Sequence, residues 1–490
     1  MNIYRNQYLI LDSNINYNNS INFLKENIGT YTVYYDQNLS ISKIKQDFIE
    51  IILLGFILDP FYPILSDNEI LKHISTKVNS TVQFINELQK YSGRFVLLFK
   101  TNNSIIAIND SCGLRQIYYG NDKPFAMSSS PELILSALGY NFQIEKNIEN
   151  LFANINFLKN EFPWYGDTWY DSRVKKVLPN HYLDIDELTA RRIDYYYDGP
   201  ETYNDIINYA KSIFSGSIQA IHHRYKIILQ PITAGWDSRI LLAASRELTK
   251  KTNYYLFVNP ELKSTDSIVA TNLAKKLDIK FQLIPTKPLT KEFIEIFSKK
   301  YAVPRILYKT ANIQWHFENS QDLDAINING NGAGIVRCTY SARNRKGTIS
   351  ELTRITKFGG FFKDDLLKWM AESKNFSETS GIENLDLFYW EQKMGNWGAL
   401  YPYEQDIAIE EFSPFNNKNL LYAIFKIDSS KRKFPDYKFF NELIKQLWPA
   451  TLTEPINPIL GFSPKARLQY ILRSSSLTLY LMRKLRFRLR

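Results

Sequence analysis

The stretch Pro231-Ile232-Thr233-Ala234-Gly235-Trp236-Asp237-Ser238-Arg239 sets hydroxyls, small residues and a carboxylate between an apolar run and a helical pattern. Small residues at such a junction let the backbone close around an anion, and the N–H groups of an opening helix suit phosphate. Thr233 and Ser238 add hydroxyl donors, and Ala234 and Gly235 leave room. Asp237 fits either of two roles, a magnesium ligand or a helix cap. Arg239 fits a contact to phosphate or a substrate carboxylate, and equally an arginine on the surface of a first helical turn. Trp236 suits base stacking, a pocket wall or core packing. Arg337 and Tyr340 are further substrate-pocket candidates. His222 and His223 are adjacent, and adjacent residues on a helix face different ways, so they make a poor metal pair.

The elements around this stretch alternate. Ile206 to His223 has helical spacing, Ile227 to Leu229 begins a strand, and Ser238 to Leu248 is helical, with Ile240, Leu241, Ala244 and Leu248 on one face. Tyr254 to Val258 (strand), Ser264 to Leu277 (helix), Phe281 to Ile284 (strand) and Ala325 to Ile328 (strand) continue the alternation expected of a parallel sheet. Residues 360 to 490 read as mostly helical, broken near Pro402, Pro414, Pro435 and Pro458. The first half differs. Tyr31 to Tyr35, Phe95 to Phe99 and Ile105 to Ile108 read as strands, the last two joined by a hairpin turn over 100–104. Thr81 to Tyr91 and Pro131 to Leu138 read as helices, with Pro131 at a first helical position. The fold class expected is therefore α/β with an α+β first domain. The domains expected are 1–195 and 200–490.

At 490 residues the chain exceeds one ordinary core, which makes two domains the default. Hydrophobic residues at 44% and charged residues at 22% suit a folded soluble protein. The net charge of +10 favours anionic partners without choosing among them. Two cysteines, Cys112 and Cys338, are too few for a disulfide framework or a cysteine-built metal site, and suit a reducing, cytoplasmic setting. The start of the sequence lacks the apolar stretch of a signal peptide, and no run is long enough for a membrane span. The longest candidate, Ile51 to Leu58, reads as buried core. Near the end, Arg483, Lys484, Arg486, Arg488 and Arg490 accompany Leu481, Leu485 and Leu489 at helical spacing. Such a segment suits an anionic membrane, a partner, or local docking.

The Thr233–Ser238 stretch resembles the pyrophosphate loop of the asparagine synthetase family, usually Ser-Gly-Gly-x-Asp-Ser. Thr233 and Ala234 stand for the first Ser and Gly, while Gly235, Asp237 and Ser238 match. Asp266 resembles the acid before the family's next helix. Asn396 to Phe415, with Trp397, Glu410, Glu411, Ser413 and Pro414, resembles its later acidic and Pro-Phe segment. Lys438 falls where the family has a phosphate-contacting lysine. In the first half, Gly93-Arg94-Phe95, Asp110, Gly113-Leu114-Arg115, Tyr118-Tyr119 and Ser129-Ser130-Pro131-Glu132 resemble its glutaminase-type domain. That domain uses a cysteine exposed at position 2, where this chain has Asn2, and an amide cannot replace a thiolate nucleophile. The pattern is similar to relatives that use another amine, the β-lactam synthetases and lasso peptide cyclases. One segment departs further. The family's Gly-x-Gly-Ala-Asp-Glu appears here as Gly330-Asn331-Gly332-Ala333-Gly334-Ile335, which keeps the glycine turn and loses the acids.

The resemblance implies a glutaminase-like layered domain followed by an adenine nucleotide alpha-hydrolase-like (ATP pyrophosphatase) domain. It implies ATP and Mg2+ as cofactors, with Thr233, Ala234, Gly235, Asp237, Ser238, Gly330 and Gly332 around the nucleotide and Asp237 on the metal. Glu410, Glu411 or water are the candidates to stand in for the acids lost. Lys438, Glu411 and Arg239 are the catalytic candidates. The activity implied is an ATP-dependent, AMP-forming ligase. A substrate carboxylate, on a small molecule or peptide, attacks the α-phosphorus and pyrophosphate leaves. Ammonia or an amine then takes the acyl group. A homo-oligomer or a pathway partner protein fits this reading, and nucleic acid is not expected. Two other readings stay open: a catalytically weakened relative that binds nucleotide or a partner, and adenylating chemistry on a nucleic-acid base.

Overall fold

Alternating burial along the strands of the first half is what builds its layers. In a computed structural model describing residues 3–18, 21–261, 264–320, 323–340 and 347–458, two six-stranded antiparallel sheets face each other within residues 8–192. Side chains on successive strand residues point to opposite faces. Ile52, Leu54, Val96 and Leu98 of one sheet therefore meet Tyr8, Ile10, Val33 and Met127 of the other in a core between the sheets. Their neighbours Ile51, Leu53, Leu97 and Phe99 face outward, onto the helices Asp67–Ser75 and Thr81–Leu88. On the far side, Leu9, Leu11, Tyr118 and Ala126 pack with the helix Pro131–Ala137 and with the second half of the chain. The order is helix, sheet, sheet, helix. The expected hairpin over 100–104 joins Ser92–Lys100 to Ile105–Asn109, with Lys100 opposite Ile105. Ile51 to Leu58 lies within the buried strand Ile49–Leu58.

The second half carries a five-stranded sheet, every pair parallel. Across the sheet the strands run Phe281–Pro285, Thr252–Val258, Ile227–Pro231, Ala325–Ile328 and Glu410–Phe412. Counted along the chain this is the order 3-2-1-4-5 of a doubly wound α/β sheet. The fold class expected from the sequence is the one observed. Helices begin where capping residues stop the strand–loop path. Ser264 and Ser267 form a capping box for Thr265–Lys276, and Thr202 accepts from the Asp205 N–H to open Tyr203–Arg224. The latter buries Ile206, Ile207, Ala210, Ile213, Phe214, Ile218 and Ile221 along one stripe. Gly216 on that helix is required by packing, because a Cβ there would stand 1.8 Å from the Pro60 carbonyl oxygen.

The strand Glu410–Phe412 is a finding that the helical reading of 360–490 does not contain. Its charge is compensated from the first half. Fully buried Arg94 donates to Asp406 Oδ1 and Glu410 Oε1, both at 2.6 Å, and Arg115 donates to Glu410 Oε2 at 2.7 Å. Among the described residues no helix is long and apolar enough to cross a membrane. Asn2 and the basic segment from Leu481 to Arg490 lie outside the described residues.

Candidate functional site at the strand-order reversal

In doubly wound sheets ligands bind beyond the carboxyl ends of the strands, where the strand order reverses. Here the reversal lies between Ile227–Pro231 and Ala325–Ile328. The loop after the first is the Thr233–Ser238 stretch, and the loop after the second is the glycine-rich turn. They touch: a Cβ on Gly330 would stand 2.5 Å from Asp237 Cβ, so only glycine permits this approach. Gly332 has φ +93°, in the left-handed region, and opens the short helix Ala333–Val336.

The first loop is closed by its own hydroxyls. Thr233 Oγ1 and Ser238 Oγ are 2.8 Å apart, Ser238 Oγ accepts from the Thr233 N–H at 3.1 Å, and Thr233 Oγ1 accepts from the Gly235 N–H at 3.0 Å. Asp266 Oδ1 accepts from the Ala234 N–H at 2.7 Å, which ties the next helix to the loop. Gly235 is the N-cap of Trp236–Ala244, and no side chain caps that helix. Of the two roles open to Asp237, helix capping is therefore removed. The first-turn N–H groups face the crevice uncapped, as an anion site requires.

Asp237 is an ion-pair partner of Arg337, at 3.1 Å from Oδ1 to Nη1. Burial pushes its carboxyl above the ordinary range while Arg337 pulls it back. Arg337, a substrate-pocket candidate of the sequence, is thereby placed beside the loop. Tyr340 packs against Tyr389 and Phe388, with ring centroids 5.4 and 6.0 Å away. A Cβ on Gly334 would fall 2.2 Å from the Tyr389 hydroxyl, so the tyrosine fills the space into which a longer side chain would project. Trp236 lies beside Tyr437, with ring centroids 5.5 Å apart.

A cavity of about 380 Å³ adjoins the loop between the strand ends. Its wall includes Thr233, Asn327, Asn329, Trp397, Tyr401 and Glu411. Buried Glu411 accepts from the side-chain amides of Asn327 at 2.9 Å and Asn329 at 2.7 Å. Burial pushes its carboxyl up to about 7, against the Asn327 hydrogen bond that pulls it down. Neighbouring Glu410 behaves oppositely: burial raises it, but Arg115 and Arg94 outweigh burial and hold it well below the ordinary range. Lys309 crosses the cavity mouth, bonded to Glu161 at 2.8 Å and lying 5.2 Å from the Trp397 ring. Glu161 thus brings the first half of the chain to the rim. The sequence reading did not single out Lys309, Asn327, Asn329, Tyr389 or Glu161; polar residues at the carboxyl end of a parallel strand were the available signal for the two asparagines.

Two of the three catalytic candidates make no side-chain contact to the loop among the described residues. Arg239 is fully buried and donates to main-chain oxygens of Thr451 at 2.5 Å, Glu454 at 2.8 Å and Pro455 at 3.3 Å. Its expected contact to phosphate or carboxylate is corrected to a positioning role, since its guanidinium fastens the segment behind the loop. Lys438 is exposed on the first turn of Lys438–Leu447 and makes no hydrogen bond or ion pair among the described residues. Its neighbour Tyr437 has φ 44° and faces the Arg337–Asp237 pair electrostatically. Magnesium also fits poorly. Among the described residues no three His, Cys, Asp or Glu side chains gather for a metal. Asp237 already holds Arg337, Glu411 is held by amides, and Glu410 by arginines.

No protein-family model matches the sequence, and no curated protein matches it. Solved structures show a distant likeness. Glutamine-dependent NAD+ synthetase from Acinetobacter baumannii, in complex with adenosine diphosphate, is 11% identical with a TM-score of 0.22, covering 34% of this chain. The chain spans only 32% of the length of that synthetase. NMN synthetase from Francisella tularensis is 12% identical with a TM-score of 0.24, covering 42% of this chain and 96% of that one. Glutamine phosphoribosylpyrophosphate amidotransferase from B. subtilis, complexed with ADP and GMP, is 10% identical with a TM-score of 0.25, covering 69% and 72%. Likenesses of this size say nothing about the chemistry of the site, which rests on strand order and on the residues at the crevice.

Proposed function

We propose that the chain is an ATP-dependent amide-forming ligase of the asparagine synthetase kind that has no glutaminase activity. The observation that supports this most is the meeting of two small-residue loops, Thr233–Ser238 and Asn329–Gly332, at the strand-order reversal beside an uncapped helix. In this reading residues 200–490 form the ATP-using unit and residues 1–195 a glutaminase-like unit that serves as support. Both cysteines are buried, Cys112 with its thiol pushed well up by burial, so neither suits the role of a glutaminase nucleophile.

The phosphates rest on the first-turn amides of Trp236–Ala244, and the cavity beside Glu411 takes the groups that react. A substrate carboxylate oxygen attacks the α-phosphorus, the bond to the bridging oxygen breaks, and pyrophosphate leaves. The charge building on that oxygen is met by helix N–H groups and Arg337. An amine nitrogen then attacks the acyl carbon of the adenylate. Glu411 accepts the amine proton, because a carboxyl near 7 is matched to base work at neutral pH. AMP leaves and the amide remains. No step is assigned to a metal, since the donor set does not fit one. A second reading, a nucleotide- or partner-binding relative with weakened catalysis, draws on Gly334 and Ile335 standing where the family has acids.

The test is pyrophosphate release with ATP, candidate carboxylates and ammonia or amines, with product masses recorded. Pyrophosphate and AMP in equal amounts, with an amide mass, is the expected result. Release of ADP and phosphate, or no ATP consumption with any pair, overturns it.

A further inference from the structure

We infer that Arg337 stands in place of a divalent cation at this crevice, so that the site binds a polyphosphate without metal. The inference rests on the nucleotide reading above but carries its own test. Asp237 is the one acid of the loop, and its carboxylate lies 3.1 Å from the Arg337 guanidinium. A magnesium ion would have to displace a fixed charge to reach that carboxylate, and among the described residues no three His, Cys, Asp or Glu side chains gather to help complete its near-octahedral shell. A second acid at position 334 is blocked by the Tyr389 hydroxyl. The position that would hold a carboxylate therefore holds a neutral phenol, with its proton retained because burial pushes Tyr389 up to about 12.

The arginine is also only partly used. Its Nε is buried with no hydrogen-bond partner among the described residues, and the Asp237 contact is an ion pair without the alignment of a hydrogen bond. A buried, unpaired guanidinium donor calls for an acceptor. A phosphate oxygen meets that need, since the guanidinium fork matches phosphate oxygens two at a time. The first turn of Trp236–Ala244, which carries Asp237 itself and has no side-chain cap among the described residues, adds backbone donors beside it. The charge sum favours the exchange. In the ligand-free crevice the guanidinium is balanced by Asp237; with a polyphosphate present it turns to the phosphate, as a metal would.

Calorimetry with ATP and with inorganic pyrophosphate, each in EDTA and each in excess magnesium, decides the matter. Both probes should bind in EDTA within about 3-fold of their affinity in magnesium. Arg337→Ala should weaken binding in EDTA by ~10- to 100-fold, the loss of one charge-assisted contact. Magnesium should restore part of that binding, because the change frees Asp237 to take a cation. Asp237→Asn gives the opposite sign. It should leave or tighten pyrophosphate binding in EDTA, since it releases Arg337 and removes a repelling charge, whereas a metal-holding aspartate would lose binding. Circular dichroism of each variant checks the fold. ATP binding that needs magnesium, abolished by Asp237→Asn, overturns this inference and leaves the nucleotide reading standing. Pyrophosphate bound in EDTA with no ATP binding sustains this inference and removes that reading. Failure of both probes in both conditions overturns both.

Discussion

Two adjacent glutamates show how far surroundings, rather than residue type, set chemistry. Glu410 sits between two arginines and stays ionised, while Glu411 faces amides and a cavity. Burial moves Glu411 from the ordinary 4.5 to about 7. A carboxyl raised in the folded state binds its proton more tightly there than in the unfolded chain. Its contribution to stability is complete below about 4.5 and fades as pH rises through about 7. Wild type should therefore lose urea resistance relative to Glu411→Gln between pH 5 and pH 8. A parallel shift of both proteins would show that Glu411 titrates normally. If Glu411 is the base, amide formation should rise through pH 7 and level off, and Glu411→Gln should lower the rate by ~10²- to 10⁴-fold while flattening that rise. Gly334 belongs to the same scale. Its intolerance of larger residues is a matter of packing, because its φ is not left-handed and the Tyr389 ring stands in the way. Gly334→Ala or Gly334→Asp should cost ~1–3 kcal/mol by overpacking and should not speed pyrophosphate exchange. Tyr389→Phe should relieve little of that cost, since a ring carbon also stands within 2.7 Å of the added Cβ.

Elements whose own residues specify them were legible in the sequence. The strands Tyr31–Tyr35 and Ala325–Ile328 have the expected bounds, and Thr265–Lys276 lies within the expected helix, because apolar alternation or a capping serine marks each locally. Glu410–Phe412 was not legible as a strand, since two glutamates break any apolar alternation and the arginines that balance Glu410 come from more than 290 residues away. The loop was legible for the same local reason as the helices: its glycine, hydroxyls and aspartate stand together in sequence. Arg337 reached Asp237, and Tyr389 reached Gly334, only through tertiary packing. Arg239 was misjudged because its partners are main-chain oxygens of residues 451–455, which no sequence pattern advertises. Those bonds make a prediction at the scale of the element. The segment also donates the Asn457 N–H to the Ala234 carbonyl at 2.8 Å, so it braces the loop from behind. Arg239→Ala should cost ~2–4 kcal/mol, strip the Thr451, Glu454 and Pro455 carbonyls of their side-chain donor and raise hydrogen exchange over 451–457. Its effect on catalysis should appear mainly in the KM for ATP. A collapse of kcat with unchanged stability and exchange would return Arg239 to the reaction itself.

At the scale of the molecule the first 192 residues and the parallel sheet share one electrostatic joint. Arg94 and Arg115 on one side meet Asp406 and Glu410 on the other, all four almost fully buried. Breaking a buried pair by removing one partner costs ~3–5 kcal/mol, because it strands a charge away from water. Among the described residues Arg94 and Arg115 are the cations that pair with Glu410 of the edge strand, so on the proposed reading the first half is kept for this joint and not for glutamine chemistry. Glu410, held below the ordinary range by Arg115 and Arg94, adds stability that is present above about 4.5 and lost as pH falls through its lowered value, the reverse of Glu411. Three outcomes follow from one cause. Arg94→Met should lower urea resistance at pH 7 by more than at pH 3, where much of the stability that Glu410 adds has already been lost. Thermal unfolding of the whole chain should be a single transition by circular dichroism and tryptophan fluorescence together. The full chain should release no glutamate from glutamine, yet the 200–490 fragment should fail to form a soluble ligase even with free ammonia supplied. A fragment that folds and makes amide from ammonia at the full-chain rate would show that the joint is dispensable. Glutamate released by the pure full chain, and lost on removing residues 1–195, would show instead that the first half still performs the chemistry its buried cysteines argue against.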